Sequence, residues 1–199
     1  MNVATIILAA GASTRLGGEL KQLLTYNGKS LVRRITEEAL LLQAGSAVVV
    51  VLGANHERIA PELADLPVTM PINADWSEGL ASSLRMGLAS LDAESIDAFL
   101  VLLTDQPYVT VDLLRQLIAT QQQTGKGIVA CRYAEPSHLG VPALFNARYK
   151  SIFMDLKGDT GARKLIQQFT ADCAEVPFPL AAVDLDTQED VAKWREAEG

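Results

Sequence analysis

The sequence is poor in cysteine and histidine, which limits the kinds of site that it can carry. Of its 199 residues only two are cysteines, Cys131 and Cys173, and no Cys-x-x-Cys pair occurs. This pattern predicts a reducing compartment and argues against a zinc site. His138 has no partner carboxylate that the sequence identifies and His56 has no evident site, so neither is assigned a role.

Positive charge is in deficit, and long apolar runs are missing. The formal net charge is −7 at pH 7, which argues against nucleic acid or an anionic membrane as the main partner. The first residues lack the basic region of a secretory signal peptide, and no apolar stretch is long enough to cross a bilayer. We therefore expect a cytoplasmic protein that acts on neither nucleic acid nor a membrane.

Three common catalytic loops are also missing. A Walker A loop ends in Gly-Lys-Ser/Thr, and the glycine-rich loop of this chain has no such ending. A dinucleotide fingerprint requires G-x-G-x-x-G, but the second residue after Gly11 is Ser13. The G-x-S-x-G elbow of serine hydrolases does not form around Ser13 either. The chain therefore fits none of these three classes well.

Apolar runs that alternate with helical patterns predict an α/β fold. Hydrophobic residues make up 49 % of the chain, enough for a core in one domain. The alternation predicts βαβ units and a mostly parallel sheet that is covered on both faces. No repeat or linker divides the chain, so we expect one domain over residues 1–199. Predicted strands cover 3–8, 47–52, 68–72, 97–103, 127–131 and 140–145, with short strand material near 176 and 182–186. Predicted helices cover 30–43, 55–64, 78–91, 110–123, 146–154 and 162–169, with a last one after Thr187.

The first predicted strand leads into a loop of small residues and two cations. Small side chains let backbone N–H groups approach a bound anion closely, and successive N–H groups can form an anion-binding concavity. Two cations would add charge where a polyphosphate needs it. We interpret the segment as a nucleoside-triphosphate loop, and the alternative is an ordinary strand-to-helix turn. Its residues are Ala9, Ala10, Gly11, Ala12, Ser13, Arg15, Gly17, Gly18 and Lys21.

Asp105 is the best single candidate for a site residue. It follows an apolar run that ends at Leu103, which places it at the carboxyl end of a buried strand, where ligands of open α/β sheets bind. A carboxylate beside phosphate oxygens suits magnesium, Mg²⁺, as a hard divalent cation. The alternative is a turn cap, because Asp-x-Pro sequences often form turns.

Asp184 and Asp186 form a second acidic candidate. They are two residues apart, so both would point to one face of a strand. Either carboxylate could complete a Mg²⁺ site with Asp105. The spacing supports equally well a capping role at the last helix, where Thr187 and Asp190 form an N-terminal signature.

Taken together, these segments resemble the MobA-like nucleotidyltransferases, and within them the molybdenum cofactor cytidylyltransferases. The first loop resembles L-A-A-G-x-S-x-R-[M/L]-G followed by K-x-L-L, and the strand end at Asp105 resembles V-L-x-D-Q-P. Later segments resemble N-x-x-W-x-x-G-x-x-x-S from Asn73, G-x-P-x-L-F from Gly140 and G-D-x-G-A-R from Gly158. The string from Asp184 resembles D-I-D-T-P-E-D, with Gln188 in place of proline.

The resemblance implies a nucleotidyltransferase (Rossmann-like) fold, with a mixed, mostly parallel, twisted sheet between helices. It implies transfer of a nucleotidyl group from a nucleoside triphosphate to a phosphorylated acceptor, with release of pyrophosphate. For the molybdenum cofactor cytidylyltransferases the donor is CTP and the acceptor is molybdopterin carrying molybdenum, which would serve a client molybdoenzyme. Ala10 is the form associated with CTP, whereas guanylyl relatives tend to carry glycine there.

The resemblance also distributes roles among the residues. Catalysis is expected from Arg15, Lys21 and Asp105, and metal binding from Asp105, Asp184 and Asp186. Nucleotide binding is expected from Ala9, Ala10, Gly11, Ala12, Ser13, Arg15, Lys21, Asn73, Gly79 and Ser82. Acceptor binding is expected from Gly140, Pro142, Lys157 and Arg163. Without the resemblance, Asn73 to Gly79 would be interpreted as a helix cap beside a core tryptophan.

Two alternative functions remain. One is a nucleotide-sugar or nucleotide-alcohol pyrophosphorylase of the same fold, because related enzymes share the loop and the strand-end aspartate. The other is a non-catalytic chaperone that binds molybdopterin.

Overall fold

A computed structural model describes residues 1–42, 47–91, 96–134, 137–182, 185 and 187–198. Its strands are β1 (Val3–Ala9), β2 (Thr25–Tyr26), β3 (Lys29–Ser30), β4 (Val48–Leu52), β5 (Ala98–Leu103), β6 (Ile128–Arg132), β7 (Leu139–Asn146) and β8 (Cys173–Pro177). Its α-helices are α1 (Leu31–Leu40), α2 (His56–Ile59), α3 (Leu80–Ala89), α4 (Val111–Thr124), α5 (Lys150–Met154), α6 (Ala162–Gln168) and α7 (Gln188–Glu198). Short 3₁₀ helices lie at Thr14–Leu16, Lys21–Leu23, Ala60–Leu63, Trp76–Glu78, Ala147–Tyr149, Thr170–Asp172 and Pro179–Ala182.

The main sheet has six strands in the order β4-β1-β5-β7-β6-β8. β1 pairs in parallel with both β4 and β5, and β6 pairs in parallel with β8. β7 runs antiparallel to both of its neighbours, β5 and β6. The remaining five strands therefore share one direction, and the prediction of a mixed, mostly parallel sheet is confirmed.

The continuous apolar runs of the strands arise because both faces of the sheet are buried. In β1, Ile7 packs with α1, α2 and α4 on one face, while Ile6 packs with α3, α5 and α6 on the other. Both side chains are completely buried, and burying such a side chain contributes about 1.5–3 kcal/mol. Since successive side chains of a strand point to opposite faces, a strand covered on both faces is apolar at nearly every position, and Thr5 is the one polar residue of β1.

A third apolar cluster joins the C-terminal helix to the loop that follows β1. Leu16 in this loop is buried with Leu24 and Leu31, and they pack against Val191 and Trp194 of α7. The glycine-rich loop is therefore anchored at its far side by an element nearly the whole chain length away.

Two of the predicted elements are wrong in form. The strand predicted at 68–72 is reduced to two isolated bridges, Val49 with Thr69 and Leu52 with Ile72. Pro67 precedes these contacts and Pro71 lies between them, and proline cannot donate to a strand ladder. The helix predicted at 55–64 is the short α2 followed by a 3₁₀ helix that begins at Ala60, since Pro61 cannot continue the α-helical bonding.

The C-terminal part also differs from the prediction. Only Val176 was expected to be extended there, but β8 spans Cys173–Pro177 and forms the sheet edge. Of the strand predicted at 182–186, Ala182 ends a 3₁₀ helix, while residues 183, 184 and 186 lie outside the described residues. No helix in the described ranges combines the length and apolar character needed to cross a membrane.

Candidate active site

A cavity of about 230 Å³ lies where β1 and β5 end. Leu8 of β1 pairs with Leu103 of β5, so the loop after β1 and the residues after β5 leave the sheet side by side. This is the carboxyl edge of the parallel strands, where open α/β sheets bind ligands. The cavity is lined by Leu8, Ala10, Gly11, Lys21, Gln22, Trp76, Gly79, Leu80, Ser83, Leu103, Thr104, Asp105 and Asp159.

The loop after β1 presents backbone donors that no other part of the described chain uses. Within the described residues, the N–H groups of Gly11, Ala12 and Ser13 donate no hydrogen bond. Ser13 has a left-handed backbone with φ of 53°, an uncommon conformation for a residue other than glycine. Consecutive N–H groups in such a loop can bind an anion. The predicted phosphate loop therefore has the donors that its function requires.

The start of this loop touches the loop that follows β4. A side chain at Gly53 would place its Cβ 2.6 Å from the carbonyl oxygen of Ala10. The Ala54 N–H donates to that same oxygen at 3.2 Å. The contact explains why small residues occupy positions 10 and 53, because a larger side chain at either position would push the two loops apart.

The two predicted side chains Lys21 and Asp105 are brought into direct contact. Lys21 Nζ lies 2.7 Å from Asp105 Oδ2, and the two side chains are 20 % and 13 % exposed. The second oxygen, Asp105 Oδ1, is buried and has no hydrogen-bond partner in the described chain. The alternative of a turn cap would need a backbone donor on this carboxylate, and none of the described residues provides one.

The carboxylate of Asp105 can supply one oxygen ligand to a divalent cation. Mg²⁺ is usually held by one or two carboxylates and completes its shell with substrate phosphates and water. The described residues contain no group of three or more His, Cys, Asp or Glu side chains that could hold a metal. Asp184 and Asp186 lie outside the described residues, as does the side chain of Arg15. Their predicted roles stay predictions.

Asn73 and Ser82 are found in a buried hydrogen-bond network beside the cavity. Asn73 Nδ2 donates to Ser82 Oγ at 2.8 Å and to Ser83 Oγ at 3.1 Å, and its Oδ1 accepts from the N–H of Asp75. Both amide hydrogens of Asn73 are thus engaged, and the network holds the 73–79 turn on the start of α3. In this arrangement Asn73 holds Ser83, which lines the cavity, and recognition of a nucleotide by the Asn73 side chain stays a prediction.

Gly79 lies against the predicted acceptor segment near Gly158, beside the first cavity. Its φ is 118°, and a Cβ there would lie 2.6 Å from the carbonyl carbon of Gly158. The N–H of Ala81 donates to the oxygen of Gly158 at 3.1 Å. The segment near Gly158 therefore packs on the first turn of α3, and Asp159 reaches the cavity.

A second cavity of about 230 Å³ adjoins the first and shares Leu8, Leu80 and Leu103 with it. Of the predicted acceptor residues, Gly140 and Arg163 line it, whereas Pro142 and Lys157 do not. Its wall includes Tyr133 and His138, whose ring centroids are 4.5 Å apart. The structure thus places a cation and two aromatic rings next to the first cavity.

Some residues of this region escaped the sequence analysis. Gln22 and Tyr133 were assigned no role, and Gln106 appeared only inside the V-L-x-D-Q-P segment. Gln106 Nε2 donates to Tyr133 Oη at 2.7 Å and to the Val141 oxygen at 2.8 Å, which ties the residue after Asp105 to the second cavity. Such long-range bonds leave no periodic signal in a sequence.

Comparison with known proteins shows the family of the chain. Nicotine blue oxidoreductase of Paenarthrobacter nicotinovorans is 31 % identical over 193 residues, which cover 94 % of this chain and 93 % of that protein. The crystal structure of Rv0371c from Mycobacterium tuberculosis H37Rv has a TM-score of 0.84 at 27 % identity and covers 98 % of this chain and 97 % of its own. A structure of Rv0371c in complex with manganese has a TM-score of 0.77 at 24 % identity, covering 98 % of both chains.

A nucleotidyl transferase from Methanothermobacter thermautotroptrophicus has a TM-score of 0.80 at 20 % identity, over 98 % of this chain and 97 % of its own, which shows a shared fold. Residues 5–174 of this chain match the MobA-like NTP transferase domain. The match covers the loop after β1, the carboxylate after β5 and both cavities. The chain belongs to the MobA-like NTP transferase domain family.

Proposed function

We propose that this protein transfers a nucleotidyl group from a nucleoside triphosphate to a phosphorylated acceptor and releases pyrophosphate. The observation that carries the proposal is one cavity lined by Gly11, Lys21 and Asp105, at the start of a loop whose N–H groups at Gly11, Ala12 and Ser13 have no acceptor in the described chain. The family supports a transferase. Following the resemblance at Ala10, the proposed donor is CTP, and the proposed acceptor is molybdopterin carrying molybdenum.

In this reaction the protein mainly positions and neutralises charged groups. An anionic oxygen of the acceptor attacks the α-phosphorus, and the bond to the bridging oxygen of the β-phosphate breaks. The loop amides and Lys21 bind the triphosphate and stabilise the negative charge on the departing pyrophosphate. Because the acceptor phosphate is already anionic, the reaction needs no general base.

Asp105 is the described residue that would hold a divalent cation, through its unpartnered Oδ1. The cation, when bound, would neutralise the phosphate oxygens around the reacting phosphorus. The manganese complex of Rv0371c supports use of a divalent metal, and Mg²⁺ is our proposal for this chain. Lys21 would then exchange part of its contact with Asp105 for the triphosphate.

The second cavity is the proposed acceptor site. It adjoins the first across the apolar boundary at Leu8, Leu80 and Leu103, so a bound acceptor would lie beside the nucleotide. Arg163 offers a guanidinium for an anionic group of the acceptor. A planar ring could stack near Tyr133 and His138. Delivery of the product to a client molybdoenzyme is a prediction from the resemblance.

The test is pyrophosphate release by the purified protein with each of the four ribonucleoside triphosphates, Mg²⁺ and molybdopterin. We expect turnover with CTP, and mass spectrometry should detect a cytidylylated acceptor. Turnover with a sugar phosphate or an alcohol phosphate instead would favour the pyrophosphorylase alternative. Binding of molybdopterin without turnover of any triphosphate would favour the chaperone alternative and refute the proposal.

A second candidate is an oxidoreductase, because the 31 % identity to nicotine blue oxidoreductase extends over nearly the whole chain. The missing G-x-G-x-x-G loop argues against it. Incubation with NADH or NADPH and a conjugated dye, followed by nicotinamide absorbance, tests it directly. Dye reduction that survives Asp105→Asn and requires no triphosphate would replace the transferase proposal.

A further inference from the structure

Gln22 is a buried polar residue directly beneath the glycine-rich loop. It lies in the 3₁₀ helix Lys21–Leu23, next to the lysine that contacts Asp105, and it lines the first cavity. The residue is only 1 % exposed. A buried amide is expensive unless its hydrogen bonds are made, so its partners reveal what the residue does.

Within the described chain, the hydrogen-bond partners of the Gln22 side chain all belong to the end of β1 and the loop that follows it. Its Nε2 donates to the carbonyl oxygen of Gly11 at 2.9 Å and to that of Ala9 at 3.4 Å. Its Oε1 accepts from Ser13 Oγ at 3.1 Å. The same Ser13 oxygen accepts from the Lys21 N–H at 3.2 Å. Gln22 and Ser13 therefore link the first residues of the loop to its last.

These bonds determine the direction of the loop amides. In a planar trans peptide the carbonyl and the following N–H point to opposite sides. Gln22 Nε2 holds the Gly11 oxygen. The N–H of Ala12, which belongs to the same peptide, therefore points away from Gln22 and cannot donate a hydrogen bond to it. Ser13, whose φ of 53° is costly, is held in place by its hydroxyl contacts.

We propose that Gln22 is a positioning residue that orients the phosphate-binding amides before the triphosphate arrives. This inference rests on the proposed function. Preorganised donors need no rearrangement when charge develops on the leaving group. Loss of the hydrogen bonds from Gln22 to the loop should therefore reduce both triphosphate binding and turnover. The expected reduction in kcat/KM for the triphosphate is roughly ten- to a hundredfold, as for other small misplacements in a site.

The test uses Gln22→Met, which keeps the length and burial of the side chain but removes both its donors and its acceptor. The matched control is Thr36→Val, because Thr36 is also buried and its hydroxyl bonds a single carbonyl, that of Val32, within α1. We expect a raised KM for the triphosphate and a lowered kcat only in Gln22→Met. The KM for the acceptor should be unchanged. Equal kinetics in both variants, with melting temperatures lowered alike, would mean that Gln22 is merely structural.

A double-mutant cycle with Ser13→Ala adds a second readout. If Gln22 acts through Ser13, their effects on kcat/KM should be clearly less than additive. Additive effects would overturn the coupling between them.

Calorimetric binding of Mg²⁺ with inorganic tripolyphosphate separates this inference from the proposed function. If the wild type releases no pyrophosphate with any triphosphate, the proposed function fails. Weaker tripolyphosphate binding in Gln22→Met than in Thr36→Val would still support the positioning role of Gln22. Equal binding in the two variants, or no binding by the wild type, would refute it.

Discussion

Replacing Asp105 with asparagine should abolish most of the activity while leaving the fold intact. The substitution keeps the shape of the side chain but removes its charge, so Lys21 faces a neutral amide and a cation loses its carboxylate ligand. Its effect on stability and its effect on turnover have different physical origins. The structure allows each to be calculated in order of magnitude.

The effect on stability should be small because two terms oppose each other. The Lys21–Asp105 pair is 20 % and 13 % exposed, between exposed pairs that contribute about 0–1 kcal/mol and buried pairs whose disruption costs about 3–5 kcal/mol. Removing the negative charge from a carboxylate whose buried Oδ1 has no hydrogen-bond partner relieves a desolvation penalty of about 1–3 kcal/mol. The net change should stay within about 2 kcal/mol, or below about 8 °C in melting temperature.

The effect on turnover should be much larger. Removing one preorganised group that stabilises developing charge lowers kcat about 100- to 1000-fold, or about 2.7–4 kcal/mol. Pyrophosphate release and melting without nucleotide would be measured on the same preparation, and excess Mg²⁺ should recover part of the activity. Asp65→Asn is the control, because it removes a carboxylate that pairs with Arg33 on the surface. An active but less stable Asp105→Asn protein would refute the metal-ligand assignment.

Three further predictions concern other residues. Lys21→Met should lower kcat/KM for the triphosphate about a hundredfold, and unchanged steady-state kinetics would remove Lys21 from the site. Ala10→Gly should shift the ratio of kcat/KM values from CTP toward GTP, and an unchanged ratio would mean that Ala10 does not select the base. Hydrogen bonds from the Tyr149 hydroxyl and the Gly127 N–H, with the nearby Arg148, lower the pKa of Asp172 from 3.8 to about 2. The ionised Asp172 carboxylate should stabilise the fold fully above about pH 4, and this stabilisation should be lost as the pH falls toward 2. Urea unfolding should therefore show that Asp172→Asn is less stable than the wild type at neutral pH but nearly as stable at pH 2.

The core of the fold could be predicted because its central strands are recognisable in the sequence as apolar runs. β4 and β5 are uninterrupted apolar runs and β1 is apolar except for Thr5, and such runs arise when a parallel sheet is covered on both faces. The position of Asp105 follows from the same signal, since the first polar residues after a buried strand lie at its carboxyl end. The predicted phosphate loop, the predicted nucleotide contacts and the extent of one domain over 1–199 stay predictions until they are tested.

Other parts could not be predicted because their cause is not local. β8 is an edge strand with a single buried residue, Val176, and its pairing with β6 comes from a crossover rather than from its own pattern. The roles of Gln22 and Tyr133 depend on partners that the fold brings near: Gln22 Nε2 bonds Gly11, eleven positions away, and Tyr133 Oη accepts from Gln106, 27 positions away. Sequence spacing carries no signal for such contacts.

The polar groups that remain unused in the described site predict that nucleotide and metal bind as a coupled pair. An anion alone would engage the N–H groups of Gly11, Ala12 and Ser13 but leave Asp105 Oδ1 without a partner. A cation alone would engage that oxygen but leave the amides unused, in a chain of net charge −7. A metal–triphosphate complex satisfies both.

By linkage each ligand must then raise the affinity for the other by the same factor. Calorimetric titration of CTP with and without Mg²⁺ should show at least about a tenfold difference, or 1.4 kcal/mol. The difference should become much smaller in Asp105→Asn; an unchanged difference in this variant would place the metal elsewhere.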